Sequence, residues 1–251
     1  MKYIKKLTTF AILLAMVLGC TACGEKENIS GQITGLENEV DSVIPEAGTI
    51  DAADTDDTTA EEETERQLSL GRIQGGVYTN EYVGMACELD SSWEFYSAEE
   101  LQDMSDIQDA YEGTEIGDAM QHMEQIMDMQ AENVGELTSM NVVYQKLNLQ
   151  QRLAYASLGE DAIIDETLAQ KDVLIESYIQ AGIMVEEMTK KTVTFMGEER
   201  VVLWTKSKVN EVDYYTLQIF NYDLGEYSVT TTLASFVEDK TEDLLQLFYA
   251  L

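Results

Sequence analysis

Three regimes of hydrophobic patterning follow one another along the chain. Phe10 to Leu18 form an unbroken apolar run, preceded by Lys2, Lys5 and Lys6 and followed by small residues from Gly19 to Gly24. A lasting transmembrane helix needs about 20 apolar residues, so this order of positive end, short apolar core and small residues predicts an export signal over residues 1–22. From residue 24 to about 72 no periodicity is visible. Beyond Gly75 it returns, as alternation in short stretches and as three- and four-residue spacing in longer ones.

The returning pattern predicts a series of elements. Tyr78, Asn80 and Tyr82 alternate up to a break at Gly84, Met85 to Leu89 form a second strand, and Trp93 to Tyr96 a third. Ser97 with Glu100 three residues later is a capping box for a helix over Ala98 to Met104. Gly117 and Asp118 open a helix from Ala119 to Glu132, whose stripe of Met120, Met123, Met127 and Ala131 predicts core packing for Met123 and Met127. Thr138 to Asn148 alternates as a strand. The longest helix runs from Glu160 to Ala181 on a stripe of Ile164, Leu168, Ile175 and Ile179, broadened by Ile163, Leu174 and Tyr178, with Gly182 as its stop. The last third is a meander: Met184 to Phe195, Val201 to Thr205, Tyr214 to Tyr222 and Tyr227 to Leu233, the last two placed centrally. A helix from about Lys240 closes the chain and presents Leu244, Leu247, Phe248 and Leu251 to the sheet. Strands in meander order with interspersed helices give an α+β fold, an antiparallel sheet flanked by helices.

Charge changes the picture outside those elements. The 251 residues carry 48 acidic and 15 basic side chains, a net charge of -33. Such a field repels phosphate backbones, so no nucleic-acid partner is expected. Between Glu25 and Glu65 lie 14 acidic residues with few large apolar ones. Like charges that bury nothing cannot offset chain entropy, which makes residues 23–74 an acidic disordered linker and 75–251 the folded domain, with Gly71 to Gly76 as hinge. Residues 73–145 hold 16 acidic residues and no Lys or Arg, so most of that charge must face solvent.

Candidate chemistry is sparse. The Asp51 to Glu65 tract lacks the central glycine of a calcium loop, and one histidine, His122, with three cysteines leaves too few ligands for zinc, so neither a metal nor a cofactor is expected. Tyr155 to Gly159 places a Ser before a Gly without the preceding strand of a nucleophile elbow. Adjacent carboxylates such as Glu99-Glu100, Glu186-Glu187 and Glu198-Glu199 are too common to mark a glycosidase. No catalytic residue is assigned. Cys87, in an apolar strand, is expected to be a buried inert thiol.

Two resemblances add to this. The small-residue stretch resembles the lipobox of bacterial lipoproteins, whose cysteine receives a diacylglyceryl group. Two registers fit: Val17-Leu18-Gly19-Cys20 has the expected aliphatic residue, and Cys20-Thr21-Ala22-Cys23 has the more usual Thr-Ala pair. The resemblance implies lipidation at Cys23 or Cys20, with the lipid bilayer as partner and a location on the extracytoplasmic side of a cell membrane.

Further along, the alternating Gly76, Tyr78, Asn80, Tyr82 and Gly84, then Trp93-Glu94-Phe95, a long helix, Tyr214-Tyr215, Gly225-Glu226-Tyr227 and a final Leu244-Leu245 with Leu247-Phe248 resemble the PsbP/Mog1-like fold over about residues 75 to 251. Ser91-Ser92 stands where that fold commonly has a proline before the Trp. The resemblance implies an α/β/α sandwich and a non-catalytic binding or accessory module, with an envelope protein or peptide as partner. Trp93, Trp204, Tyr214 and Tyr222 are the expected binding surface, and the alternative they suggest is a solute- or glycan-binding lipoprotein.

Overall fold

The computed structural model describes residues 68–105 and 125–251. The export signal, Cys20 and Cys23, the acidic stretch up to residue 67, and Met120, His122 and Met123 lie outside them. The described strands are β1 (Arg72–Gln74), β2 (Val77–Asn80), β3 (Met85–Glu88), β4 (Glu94–Phe95), β5 (Gln125–Asn133), β6 (Thr138–Lys146), β7 (Ile183–Phe195), β8 (Glu198–Val209), β9 (Val212–Leu224), β10 (Tyr227–Phe236) and β11 (Phe248–Ala250). The helices are α1 (Ala98–Ser105), α2 (Leu149–Ser157), α3 (Glu160–Ala169), α4 (Lys171–Gln180) and α5 (Thr241–Leu244).

The fold is α+β, built on a seven-stranded antiparallel sheet in the order β4-β5-β6-β10-β9-β8-β7. A second sheet, β1-β2-β3-β11, is also antiparallel. Alternation along the strands sorts side chains to two cores. Val229 and Leu233 of β10, Leu217 and Ile219 of β9, and Met140, Val142 and Tyr144 of β6 meet Tyr78, Met85 and Cys87 of the small sheet and Leu244 of α5. The opposite face places Tyr214, Phe220, Ala234 and Phe236 against Ile164 of α3 and Leu174 and Tyr178 of α4. Tyr214 stacks on Phe236 with centroids 4.4 Å apart.

Several local signals act as the sequence implies. Glu100 accepts from the Ser97 backbone N–H at 2.9 Å and donates its own N–H to Ser97 Oγ at 3.3 Å, closing the capping box that starts α1. Gly182, at φ +79°, ends α4.

Other elements differ. Of the helix expected over Ala119 to Glu132, residues 119–124 lie outside the described residues and the rest is overturned: Gln125–Asn133 is β5, paired with β6 from Gln125 opposite Gln145 to Asn133 opposite Thr138. The spacing of Met127 and Ala131 suits a helix, but cross-strand pairing on β6 outweighs a local periodicity that rests on few residues. Met127 is half-buried on the helix-covered face, and Met129 and Ala131 are fully buried between the sheets. The single helix expected from Glu160 to Ala181 is broken at Gln170 (φ -102°, ψ 14°). Of the expected stripe, Ile164, Leu174 and Tyr178 are buried, whereas Ile175 is half-buried and Ile179 is 59% exposed. The closing helix lasts only through α5 and the 3-10 turn Leu245–Leu247, because Phe248–Ala250 pairs with β3, and Leu251 is exposed. Lys206 to Asp213, expected as a connection, is mostly strand, turning at Asn210 (φ 50°) and Glu211 (φ 67°).

Pairing also begins before Gly75. Arg72 lies opposite Thr79 in the β1–β2 ladder, and Leu68 packs against the core between the sheets. The link is a buried carboxylate. A bulge between Met127 and Met129 turns Asp128 toward the small sheet, where it accepts from the Gly71 N–H at 2.8 Å, Tyr78 Oη at 2.5 Å and Asn80 Nδ2 at 2.8 Å. Asn80 Nδ2 also reaches Tyr144 Oη at 2.6 Å, joining both sheets through one polar cluster. Burial outweighs these donors and holds the Asp128 carboxyl above its usual range.

Candidate functional site: a cleft at a fork in the sheet

The ladder between β8 and β9 runs from Val209 opposite Val212 to Leu203 opposite Gln218 and stops there. Both strands continue, β8 back to Glu198 and β9 on to Leu224, each paired only on its outer side, β8 with β7 and β9 with β10. The sheet therefore forks. Had the register continued, Val201 would face Phe220 and Arg200 would face Asn221.

Charged side chains take up groups that the missing ladder leaves. Arg200 Nη2 donates to the Phe220 carbonyl at 2.8 Å and to Asn221 Oδ1 at 3.1 Å. The Val201 N–H donates to Glu160 Oε2 at 3.1 Å, and Arg200 Nε donates to Glu160 Oε1 at 2.6 Å. Glu160 is the first residue of α3, where a carboxylate also favours the positive end of the helix dipole. The Glu160–Arg200 ion pair thus braces the fork at its closed end. Asn221 Nδ2 is buried there without a hydrogen-bond partner.

A cleft of about 900 Å³ opens from this brace, within the range of small-ligand sites. Glu198, Arg200, Phe220, Asn221 and Leu224 come from the two strands, Met196 and Gly225 from adjacent turns, Val83 from the β2–β3 turn and Ile163 from α3. Its outer wall is α2. That helix starts at a reciprocal cap, Gln151 N–H to Asn148 Oδ1 at 2.9 Å and Asn148 N–H to Gln151 Oε1 at 2.7 Å. With its start fixed, Leu149 and Leu153, four residues apart, share a face. Both line the cleft, yet they are 67% and 65% exposed, and Leu158 beyond them is 42% exposed. Apolar residues on a helix normally face a core; here they border an open cavity.

The expected aromatic surface is not assembled. Tyr214 is fully buried under α4, which removes it from any binding face. Trp204 is only 8% exposed, donates Nε1–H to Asp239 at 2.9 Å and lies under Lys191 Nζ, 4.1 Å from the ring centroid. Trp93 is half-buried against the core between the sheets, and the Tyr222 side chain lies outside the described residues. Tyr155 and Phe220 are the aromatic residues that line the cleft.

Sequence reasoning missed α2. Its signal was present in the capping pair Asn148 and Gln151 and in the Leu149 and Leu153 spacing. The fork had no such signal, because Val201 to Thr205 and Tyr214 to Tyr222 look equally strand-like along their length.

Cys87 is buried, its Sγ 3.7 Å from Met140 Sδ, and burial pushes its thiol up to about 12. No group of three or more His, Cys, Asp or Glu side chains suited to a metal occurs among the described residues. No described helix is long and apolar enough to cross a membrane.

No known protein family's sequence pattern matches the chain, and no curated protein matches it. Among solved structures, it is similar to the solution structure of cyanobacterial PsbP (CyanoP) from Synechocystis sp. PCC 6803. The TM-score is 0.41 and the identity 11%, covering 74% of this chain and 95% of that one.

Proposed function

We propose that the chain is a non-catalytic binding module, exported and held at the extracytoplasmic face of a cell membrane by a lipid on Cys23 or Cys20, and that it takes its ligand in the cleft at the sheet fork. The observation that carries the binding reading is the wall of α2, where Leu149 and Leu153 stay two-thirds exposed beside a cavity of about 900 Å³. Leaving both two-thirds uncovered forgoes burial of roughly 1 to 2 kcal/mol each, an arrangement that suits a surface covered by a partner. Of the cleft's charged groups, Glu160 and Arg200 hold each other and the strand edges, which is a structural duty.

Anilinonaphthalene sulfonate, a fluorescent apolar probe, tests the cleft on the purified chain. Enhanced fluorescence in the wild type that is lost in the double variant Leu149→Asp, Leu153→Asp supports the reading; equal fluorescence in a folded variant rejects it. Anchoring is tested separately, by labelled palmitate in a bacterial host. Label is expected in the wild type and none when Cys20→Ala and Cys23→Ala are combined, each single change then fixing the register; retained label in the double variant would refute lipidation.

A further inference from the structure

We infer that the ligand of this cleft is an extended apolar peptide segment, bound by strand addition along the fork between β8 and β9. The inference rests on the cleft being the binding site and adds the chemistry of its occupant.

The fork supplies the first ground. Over Glu198 to Val202 and Ile219 to Leu224 the facing edges of β8 and β9 have no ladder between them, although each strand is held in extended form by its outer neighbour. Backbone N–H and C=O groups need partners, and a strand edge fixed in the pleated conformation is already shaped for another strand. The brace takes the inner part of this edge, at Arg200 and Val201 and at Phe220 and Asn221, and leaves Glu198 and Glu199 on β8 opposite the end of β9, roughly 7 to 10 Å at about 3.3 Å per residue, for about two or three residues of an added segment.

The brace supplies the second. Arg200 and Glu160 serve the Phe220 carbonyl and the Val201 N–H, the groups nearest the point where pairing stops. Side chains thus replace main-chain partners at the closed end, while the rest of the fork widens into the cleft. A main-chain amide entering the wider part of the fork brings the same donor and acceptor types.

The wall supplies the third, and selects the side chains. In a strand alternate residues point to one side, so an added segment would present every second side chain to Leu149, Leu153 and Leu158. The ionisable lining balances, with Arg152 and Arg200 against Glu160 and Glu198, so the cleft has no net call for a charged ligand. Outside it the protein is strongly acidic, which disfavours acidic segments.

The test uses the purified chain and the probe peptide acetyl-Val-Thr-Val-Thr-Val-Thr-amide, beside the same peptide N-methylated at alternate residues and beside decyl maltoside, which is apolar but has no peptide backbone. Strand addition predicts saturable binding of the parent peptide and slowed hydrogen exchange of amides within Glu198 to Val202 and Ile219 to Leu224. It also predicts affinity at least about tenfold weaker for the N-methylated peptide, as loss of two or more main-chain hydrogen bonds implies. Leu153→Asp should abolish the binding while far-ultraviolet circular dichroism stays unchanged.

Equal binding of both peptides, or binding of decyl maltoside alone, would overturn strand addition and leave the cleft as an apolar site. Absence of peptide binding, with the fluorescent probe still bound in a manner sensitive to Leu149 and Leu153, would overturn it too. Loss of both signals would overturn the cleft reading itself.

Discussion

Removing the Asp128 carboxylate tests whether one bulge residue fastens the small sheet and the arriving chain to the large sheet. In Asp128→Ala, Tyr78 Oη and the Gly71 N–H lose their acceptor, while Asn80 Nδ2 keeps Tyr144 Oη as a partner. Tyr78 is fully buried, so its hydroxyl has no access to water. Two orphaned donors at about 1 to 3 kcal/mol each give roughly 2 to 6 kcal/mol, and relief of a buried carboxylate offsets part of this. A net loss of about 2 to 4 kcal/mol is expected. Asp128→Asn keeps the shape and one carbonyl acceptor and should lose less than half as much. Urea unfolding followed by circular dichroism gives the free energies. Hydrogen exchange gives the location, since the amides of Gly71 and β1 should lose protection before those of β10. An Asp128→Ala loss below about 0.5 kcal/mol, within ordinary surface-substitution effects, would refute the fastening role.

The same carboxyl has a pH signature: because the fold raises its pKa, the stability it contributes is fully present below the unfolded value of about 4 and falls as pH rises through the folded value. The stability difference between wild type and Asp128→Asn should therefore shift against the wild type over that rise; a difference independent of pH would contradict the raised value. Met129→Ala, at a fully buried position between the sheets, should cost about 2 to 5 kcal/mol in urea melts, and more than Met127→Ala at its half-buried site on the other face. Cys87, buried and with its thiol pushed up to about 12, should resist iodoacetamide at pH 8 in the native protein and react in guanidinium, as mass spectrometry would record. Arg200→Met removes the guanidinium donor from the Phe220 carbonyl and from Glu160 Oε1, leaving Glu160 only the Val201 N–H, so amide exchange in Ile219 to Leu224 should speed up while β6 is unaffected.

The sequence alone determined what depends on near neighbours. Ser97 and Glu100 start a helix because their groups lie within one turn of each other, and Gly182 ends one because its backbone tolerates the left-handed region. The Val-, Thr- and Tyr-rich stretches after Met184 became strands in meander order, with β9 and β10 among the inner strands, because short connections bring consecutive strands side by side. Pairing between distant segments decided the rest. Gln125 to Asn133 carries a helix-compatible methionine spacing and became a strand only by lying against β6, and Phe248 to Ala250 left its helix to pair with β3, more than 150 positions earlier in the chain. Asp128 looked like one acidic residue among 48 until a bulge turned it toward Tyr78 and Asn80. The cleft follows the same logic: its leucines and their helix cap are legible in the chain, but the parting of β8 from β9 is a property of how two outer ladders pull on two strands. A local hydrogen bond or turn is encoded in adjacent residues, whereas a fork exists only once four strands have taken their places.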